Sequence, residues 1–163
     1  MKILLLLSFV LLSCHQHKDI AAKAVFSGKV IKIVDGDTYD ILLANNTTKR
    51  IRMEGIDTPE RGMAFYTVAK NYLGSLCFGK TVSVMQTDTD RYGRTIAKSY
   101  LINGTELGLL MVEAGYAWHF KKYSTDEELS TAELSAREKQ LGLWVDKNPV
   151  APWDWRKGSK RKD

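Results

Sequence analysis

Short β-patterned runs with charged residues at their ends occupy residues 34–60, and this stretch constrains the chain more than any other. Strand ends are rigid positions from which side chains can be held at fixed distances. Carboxylates there suggest an oxygen-ligated cation such as Ca²⁺, and arginine suggests a bidentate grip on phosphate. The stretch therefore predicts a cation and phosphate site. The charged residues concerned are Asp35, Asp37, Arg52, Asp57 and Glu60.

Three runs rich in β-branched residues predict the first three strands, at Val25–Val34, Thr38–Leu43 and Lys49–Ile56. A bend or bulge is expected near Gly28, where strict alternation begins to fail. Asn45-Asn46 predicts a two-residue turn between the second and third strands, since asparagine tolerates positive φ. The strands and turn together predict an antiparallel hairpin.

The predicted hairpin brings acidic and basic side chains together. With a two-residue turn, Asp37 is expected opposite Glu54 and diagonal to Arg52 on one face. Diagonal neighbours across antiparallel strands lie within reach of long side chains. A bulge would shift this register, but a shared site for Asp37 and Arg52 is physically reasonable.

The rest of the chain predicts three helices and two further strands. Apolar residues at helical spacing predict a first helix from Phe65 to Cys77, closed by Gly79. Alternating patterns predict strands at Thr81–Gln86 and Thr95–Ile102. A short helix should follow near residues 107–115, and a capping box at Ser124–Glu127 should open a third helix that runs to about Leu141. Periodicity alone gives an α+β class, and this element order suits a five-stranded OB-type β-barrel with three helices.

Bulk composition indicates one globular domain with a preference for anionic partners. The chain has 163 residues, 44% hydrophobic and 26% charged, which excludes a disordered chain and leaves no room for two ordinary domains. A formal net charge of +5 favours nucleic acid or an acidic membrane surface as partner.

The first residues predict an export signal. Lys2 precedes an apolar run at Ile3–Leu12, too short to span a bilayer, and Leu11-Leu12-Ser13-Cys14 resembles a bacterial lipobox with Cys14 as the lipidation site. Leu12 is bulky for its position, so ordinary signal-peptidase processing is the alternative. An exported, membrane-anchored lipoprotein (periplasmic or cell-surface) is favoured over free secretion, and the lipid would be its one attachment to the membrane.

The predicted organisation has four parts. Residues 1–13 form a lipoprotein-type signal peptide and residues 14–24 a tether. Residues 25–145 form the OB-type domain, and residues 146–163 a basic tail that contains tryptophan. If Cys14 carries lipid, Cys77 is left as a single thiol without a disulfide partner. The expected state is a monomer.

Three motifs, in order and spacing, resemble the thermonuclease family, typified by staphylococcal nuclease. They are Val34–Thr38, Ile51–Glu60 and Asp90–Arg94, and Gly142–Trp144 matches as well. The resemblance covers nearly the whole chain after the export signal. It implies an OB barrel with three helices and Ca²⁺-dependent hydrolysis of phosphodiester bonds in DNA and RNA, leaving 3′-phosphate ends.

The resemblance also implies a role for each motif residue. Two carboxylates and one backbone carbonyl would bind Ca²⁺, one glutamate would orient or deprotonate the attacking water, and two arginines would hold the scissile phosphate. Two tyrosines are further candidates for nucleotide contacts. The implied Ca²⁺ ligands are Asp37, Asp57 and Thr58, and the glutamate that acts on water is Glu60. The implied phosphate-binding arginines are Arg52 and Arg94, and the two tyrosines are Tyr92 and Tyr123.

Two other functions remain open at this point. A non-catalytic OB-fold module could bind nucleic acid through its basic surface, but such degenerate domains lose catalytic carboxylates or arginines, and here the whole set is present. An envelope lipoprotein whose basic tail binds acidic polymers or lipid headgroups would leave the three motifs unexplained. The motif set therefore favours an enzyme.

Overall fold

The structure is a computed structural model that describes residues 25–159. The expected signal peptide, the lipidation site Cys14 and the tether lie outside the described residues, as do the last four positions of the expected tail, so these remain predictions. In the part that is described, no helix combines the length and apolar character needed to cross a bilayer.

A closed barrel forms the centre of the molecule. Within the described residues the strands are β1 (Val25–Ile33), β2 (Thr38–Leu42), β3 (Thr48–Met53), β4 (Ile56–Asp57), β5 (Thr81–Thr89), β6 (Thr95–Tyr100) and β7 (Trp118–His119). The barrel order is β1-β2-β3-β6-β5, and β1 pairs with β5 to close it. Neighbouring barrel strands are antiparallel except β3 and β6, which run parallel. The remaining two strands, β4 and β7, form a separate small antiparallel sheet.

Helices pack against the barrel and against one another. They are α1 (Tyr66–Cys77), α2 (Leu107–Glu113), α3 (Glu127–Glu138) and α4 (Pro152–Ser159), with a short 3-10 helix at Gly142–Val145. The helix α1 turns Ala69, Leu73 and Cys77 into the core, as its apolar spacing predicts. The α+β class and the OB-type barrel predicted from the sequence are confirmed, and α4 is an additional helix.

The bulge in β1 lies slightly beyond its predicted place. The pairing with β2 shifts register between Val30 and Lys32, whereas a bend was expected near Gly28. Gly28 has a different role, because a Cβ there would lie 2.9 Å from the carbonyl oxygen of Leu42. The glycine thus permits a close approach of two strands, and the bulge follows it.

The hairpin register differs by one residue from the prediction. Thr38 pairs with Arg52, and the backbone N–H of Met53 donates to the carbonyl of Asp37 at 2.9 Å, so Asp37 does not lie opposite Glu54. The cause is the turn, because Leu43 and Thr47 are hydrogen-bonded across three intervening residues rather than two. Asp37 nevertheless lies 3.1 Å from Arg52, because it precedes β2 and its side chain does not have to follow the alternation of the strand.

The third helix starts at a different cap from the one predicted. Asp126 is the N-cap of α3 and accepts hydrogen bonds from the backbone N–H groups of Glu128 and Leu129. Ser124 instead accepts a hydrogen bond from the backbone N–H of Asp126 at 3.2 Å. The predicted capping box at Ser124–Glu127 is therefore wrong by two positions, because an aspartate two residues later is an equally strong cap.

The segment after the barrel domain is packed rather than a free tail. Trp118, Ala136, Leu143, Trp144 and Ala151 form a second buried cluster, and Trp153 of α4 packs against it. This cluster begins where Gly115 and Gly142 meet, since a Cβ on Gly115 would lie only 2.2 Å from the carbonyl oxygen of Leu141. The predicted boundary at residue 145 thus divides a continuous cluster, and α4 belongs to the folded body.

Candidate active site

The largely buried guanidinium of Arg52, in β3, bridges Asp37, which lies just before β2, and Asp57 of β4. The Nε of Arg52 lies 3.1 Å from Oδ1 of Asp37, and its Nη2 lies 3.1 Å from Oδ1 of Asp57. The same side chain donates to the backbone carbonyls of Met53, at 2.6 Å, and Ile56, at 2.9 Å. Because Arg52 is held on both edges of its planar fork, it fixes the two carboxylates relative to each other.

Asp37 is held from its other side by threonines. Its Oδ2 accepts hydrogen bonds from both the backbone N–H and the hydroxyl of Thr58, each at 3.0 Å, and its Oδ1 accepts one from the hydroxyl of Thr38. Asp37 and Thr58 are both almost completely buried. The first and second predicted motifs therefore meet directly, with Thr58 as the link.

Burial and mutual repulsion set the electrostatics of the acidic cluster. Burial, together with the charge of Asp37, raises the pKa of Asp35 to about 7. Burial also raises the pKa of Asp57, and the guanidinium of Arg156 pulls that pKa in the opposite direction. Carboxylates that repel one another in a dry site are stabilised by a cation or by arginine. The cluster is therefore chemically suited to positive ligands.

The small β4–β7 sheet places an aromatic segment beside Asp57. Asp57 pairs with Trp118 and Ile56 with His119, and the backbone N–H of Phe120 donates to the carbonyl of Gly55 at 2.8 Å. Sequence reasoning did not predict this sheet, because two residues are too few to give a periodic signal. As a consequence, the wall of the site contains rings that lie next to the acidic cluster.

Glu60 lies at the edge of the site and pairs with an arginine from α4. Arg156 donates from Nη1 to Oε1 of Glu60 at 2.5 Å, and from Nη2 to Oδ2 of Asp57 at 2.6 Å. Sequence reasoning missed Arg156 and assigned it to the basic tail. Pro152 at a helix start followed by Trp153 gave a local hint of α4, but no local pattern identifies partners that lie 96 and 99 residues away.

Arg94 reaches the groove from the β5–β6 hairpin. Asp90 fixes it, accepting from its backbone N–H at 2.9 Å and from its Nε at 2.7 Å. Tyr92 at the tip is largely exposed, and the guanidinium of Arg91 lies 4.8 Å from its ring centroid. The third predicted motif therefore folds back to the site, with an arginine and an exposed ring on one rim.

One groove of about 1010 Å³ connects these groups. Its floor is acidic, and basic residues from the hairpin and from the segment after β7 line its rims. Tyr123 also lines the groove and is exposed, edge-on to Phe120 with ring centroids 4.8 Å apart. Within the described residues, the structure thus brings the predicted catalytic, metal-binding and nucleotide-binding residues to one groove.

The donor set fits a hydrated, hard cation. Asp37, just before β2, and Asp57 of β4 supply carboxylate oxygens, and both lie 3.1 Å from nitrogen atoms of the Arg52 guanidinium. Among the described residues no group of three or more acidic, histidine or cysteine side chains is close enough to hold a metal ion. Two carboxylates with water and carbonyl oxygen are a coordination that Ca²⁺ and Mg²⁺ both accept.

Comparisons with known proteins agree with this geometry. The family described as Staphylococcal nuclease homologue matches residues 50–146. The chain is 40% identical over 151 residues to a protein named micrococcal nuclease from Shigella flexneri, with 86% of each chain covered. It is 37% identical over 157 residues to an uncharacterized endonuclease from Haemophilus influenzae, covering 96% of this chain and 84% of that protein. A staphylococcal-like nuclease from Arabidopsis thaliana is 40% identical over 111 residues, which are 68% of this chain and 34% of that protein.

The OB-type barrel and its acidic, arginine-bridged groove define a protein of the nuclease class. The chain belongs to the staphylococcal nuclease family. This membership supports hydrolysis of nucleic acid with the help of a metal ion, because the family consists of metal-dependent nucleases.

Proposed function

We propose that this protein is a Ca²⁺-dependent nuclease that cuts phosphodiester bonds in DNA and RNA within the strand, leaving 3′-phosphate ends. The observation that supports it most is the buried bridge of Asp37, Arg52 and Asp57, with Glu60 beside it on the groove edge. A basic-rimmed groove, open along its length, suits a polymeric anion better than a small phosphate ester.

The proposed roles follow from position. Asp37, Asp57 and the carbonyl of Thr58 would hold Ca²⁺, which when bound neutralises charge on the phosphoryl oxygens. Glu60 would orient a water molecule and take its proton, because it is a half-exposed carboxylate beside the buried pair. Arg52 on the floor and Arg94 on the rim would hold the scissile phosphate from two sides.

The two tyrosines would contact the nucleotides that flank the cut. Tyr92 and Tyr123 both present exposed rings to the groove, and rings of this kind stack on bases without sequence preference. Basic neighbours at each ring, Arg91 and Lys122, would add contacts to the backbone. This arrangement favours cleavage of many sequences over recognition of one.

Digestion of supercoiled plasmid and of RNA tests the proposal. With Ca²⁺, purified protein is expected to convert plasmid to nicked and then linear forms and to degrade RNA, and a chelator should stop both reactions. Glu60→Gln removes the proton acceptor at nearly constant shape. It is expected to reduce turnover about 10²- to 10⁴-fold.

Binding measurements separate this function from the non-catalytic alternative. Glu60→Gln should still bind a labelled oligonucleotide, because the basic rims are unchanged. Wild-type protein that binds oligonucleotide and cuts neither substrate with Ca²⁺ would contradict the proposal and support a binding module. A protein that cuts only from strand ends would overturn the endonucleolytic part.

A further inference from the structure

The guanidinium of Arg156 holds two carboxylates of the active site at once. Besides its contacts of 2.6 Å to Asp57 and 2.5 Å to Glu60, its Nη1 lies 3.2 Å from Oδ1 of Asp57. The two acids differ greatly in environment, since the side chain of Asp57 is 3% exposed and that of Glu60 is 41% exposed. Arg156 therefore joins a buried carboxylate to a half-exposed one.

Glu60 depends on this contact more than Asp57 does. The backbone of Glu60 is anchored by a turn to Met63, but within residues 25–159 Arg156 is the side chain that its carboxylate contacts. A half-exposed glutamate has three rotatable side-chain bonds, and fixing it costs about 1–2 kcal/mol of rotamer entropy. Asp57, by contrast, is also held by Arg52. The geometry of the water-activating group is thus set by α4.

Aromatic packing holds the helix α4 against the segment that contains Trp118 and Phe120. The ring of Trp153 stacks on Phe120, with centroids 5.0 Å apart and an angle of 6°, and it meets Trp118 edge-on at 5.5 Å. Trp118 pairs in the β4–β7 sheet with Asp57 itself. One short ladder therefore positions both the aspartate and the aromatic seat of the helix that carries Arg156.

We propose that Arg156 is a positioning residue for catalysis, which orients Glu60 toward the acidic cluster through a fork anchored on Asp57. This inference rests on the proposed role of Glu60 and goes beyond it, because it makes α4 a working part of the active site. Arginine suits this role better than lysine, since its planar fork donates to two carboxylates at once whereas lysine presents a point charge.

The contact of Arg156 with Asp57 and Glu60 has a second interpretation, in which the guanidinium occupies the position of the metal ion and inhibits the enzyme. Metal affinity alone does not separate the two readings, because removal of a positive charge beside a cation site strengthens cation binding in either case. The rate at saturating Ca²⁺ does separate them. A positioning residue is needed when Ca²⁺ is bound, whereas an inhibitory contact has by then been displaced.

The experiment compares Arg156→Ala, Arg156→Lys and a matched control, Lys157→Ala, on the same helix. Lys157 is exposed and pairs only locally with Asp154, so its loss removes one nearby positive charge without touching Glu60. Oligonucleotide cleavage is measured at saturating Ca²⁺ to give kcat and KM. Ca²⁺ affinity is measured by calorimetry without substrate, and folding by the thermal unfolding midpoint.

Arg156→Ala is expected to lower kcat about 10- to 100-fold with KM nearly unchanged, the range that misplacement of a catalytic group costs. Arg156→Lys should recover part of kcat, because lysine can still pair with Glu60. Lys157→Ala should keep the wild-type kcat, while both alanine variants bind Ca²⁺ somewhat more tightly. An Arg156→Ala kcat equal to or above the wild-type value at saturating Ca²⁺ would overturn the proposal.

A stability cycle tests the contact without any nuclease assay. Denaturant unfolding of wild type, Arg156→Ala, Glu60→Ala and the double variant is expected to show non-additive changes, because each single variant breaks the same ion pair. Additive changes would overturn the proposed positioning even in an active enzyme. If wild type fails to cut nucleic acid while the cycle remains non-additive, the proposed function fails and the Arg156–Glu60 contact stands.

Discussion

At the scale of single residues, Arg52 is the most connected side chain of the site. It contacts two aspartates and two backbone carbonyls while its own side chain is 14% exposed. The two carboxylates would repel each other without it, and the carbonyls would lose a charged donor. Arg52 therefore contributes to the fold around β4, and in the proposed mechanism it also holds the phosphate.

Arg52→Lys is expected to impair activity and stability together, although it keeps the charge. One ammonium cannot span the four acceptors, so buried oxygens lose their partners at a cost of about 1–3 kcal/mol. Loss of a phosphate donor should reduce kcat about 10²- to 10³-fold. Plasmid cleavage with Ca²⁺ and denaturant unfolding measure the two effects.

Arg50→Lys is the matched control for this prediction. Arg50 also makes a two-pronged contact, with both oxygens of Asp40 at 2.7 and 3.0 Å, but its side chain is 46% exposed and water can replace the lost bonds. Its stability should change by less than about 0.5 kcal/mol and its kcat should not change. Equal losses at positions 50 and 52 would show that burial does not decide the effect.

At the scale of elements, Asp126 joins α3 to the barrel. One carboxylate oxygen caps the first turn of α3, and the other accepts from Lys98 of β6 at 2.6 Å. The hydrogen bond from Lys98 lowers the pKa of Asp126 below its ordinary value of 3.8. The ionised carboxylate is therefore favoured in the folded state, and the N-terminal end of the helix favours the same charge.

Asp126→Asn should lower stability at neutral pH and have little effect in acid. Asparagine is as good a cap as aspartate, so the variant removes the ion pair and keeps the capping bond. Because the folded pKa is depressed, the contribution of the charge is present above pH 3.8 and is lost as the pH falls through the folded value. The free energy of unfolding of variant and wild type, measured from pH 7 to pH 2.5, should converge at the acidic end.

Two further variants complete this test. Asp126→Ala removes the cap as well and should cost about 1 kcal/mol more than Asp126→Asn at neutral pH. Asp146→Asn changes an exposed aspartate whose described contact is a local hydrogen bond from the backbone of Asn148, and it should not alter stability at any pH in this range. A loss for Asp126→Asn that stays constant down to pH 2.5 would contradict the role assigned to its charge.

The elements that the sequence predicted well are those with long periodic signals. The apolar spacing of α1 and the alternation of β5 and β6 predict their buried faces, and burial agrees at Leu73, Val82 and Val84, whereas Val68 of α1 is 46% exposed. The errors lie where several local choices cost nearly the same. Asn45-Asn46 tolerates a two-residue or a longer turn, and both Ser124 and Asp126 can cap a helix.

At the scale of the whole molecule, most of the candidate site was predictable because it is carried by contiguous motifs. Asp37, Arg52, Asp57, Thr58 and Glu60 lie within one hairpin and its following loop, so their approach needs only local pairing. Arg156 could not be predicted in this way. Packing of tryptophans, which the sequence presents as ordinary core residues, brings it to Asp57 and Glu60, and no spacing in the sequence predicts these contacts.

Because Trp153 packs against the second buried cluster and positions α4, we expect its loss to lower the catalytic rate. Trp153→Ala removes the ring that stacks on Phe120 and meets Trp118. The helix α4 then loses the packing that fixes its position, so Arg156 is no longer held against Glu60. The variant is expected to lower kcat at saturating Ca²⁺ by about the same 10- to 100-fold as Arg156→Ala. Oligonucleotide cleavage measures this rate, and the thermal midpoint confirms that the barrel remains folded.

The double variant decides whether the two residues act through one contact. If Trp153 works by seating Arg156, then Trp153→Ala combined with Arg156→Ala should be hardly slower than either single variant, since the same interaction cannot be lost twice. Phe78→Ala, an exposed ring just after α1, controls for aromatic truncation and should leave kcat unchanged. Rate losses that multiply in the double variant would mean that Trp153 affects the site independently, for example through Asp57 and the β4–β7 ladder. The aromatic cluster would then stabilise the acidic floor directly rather than through α4.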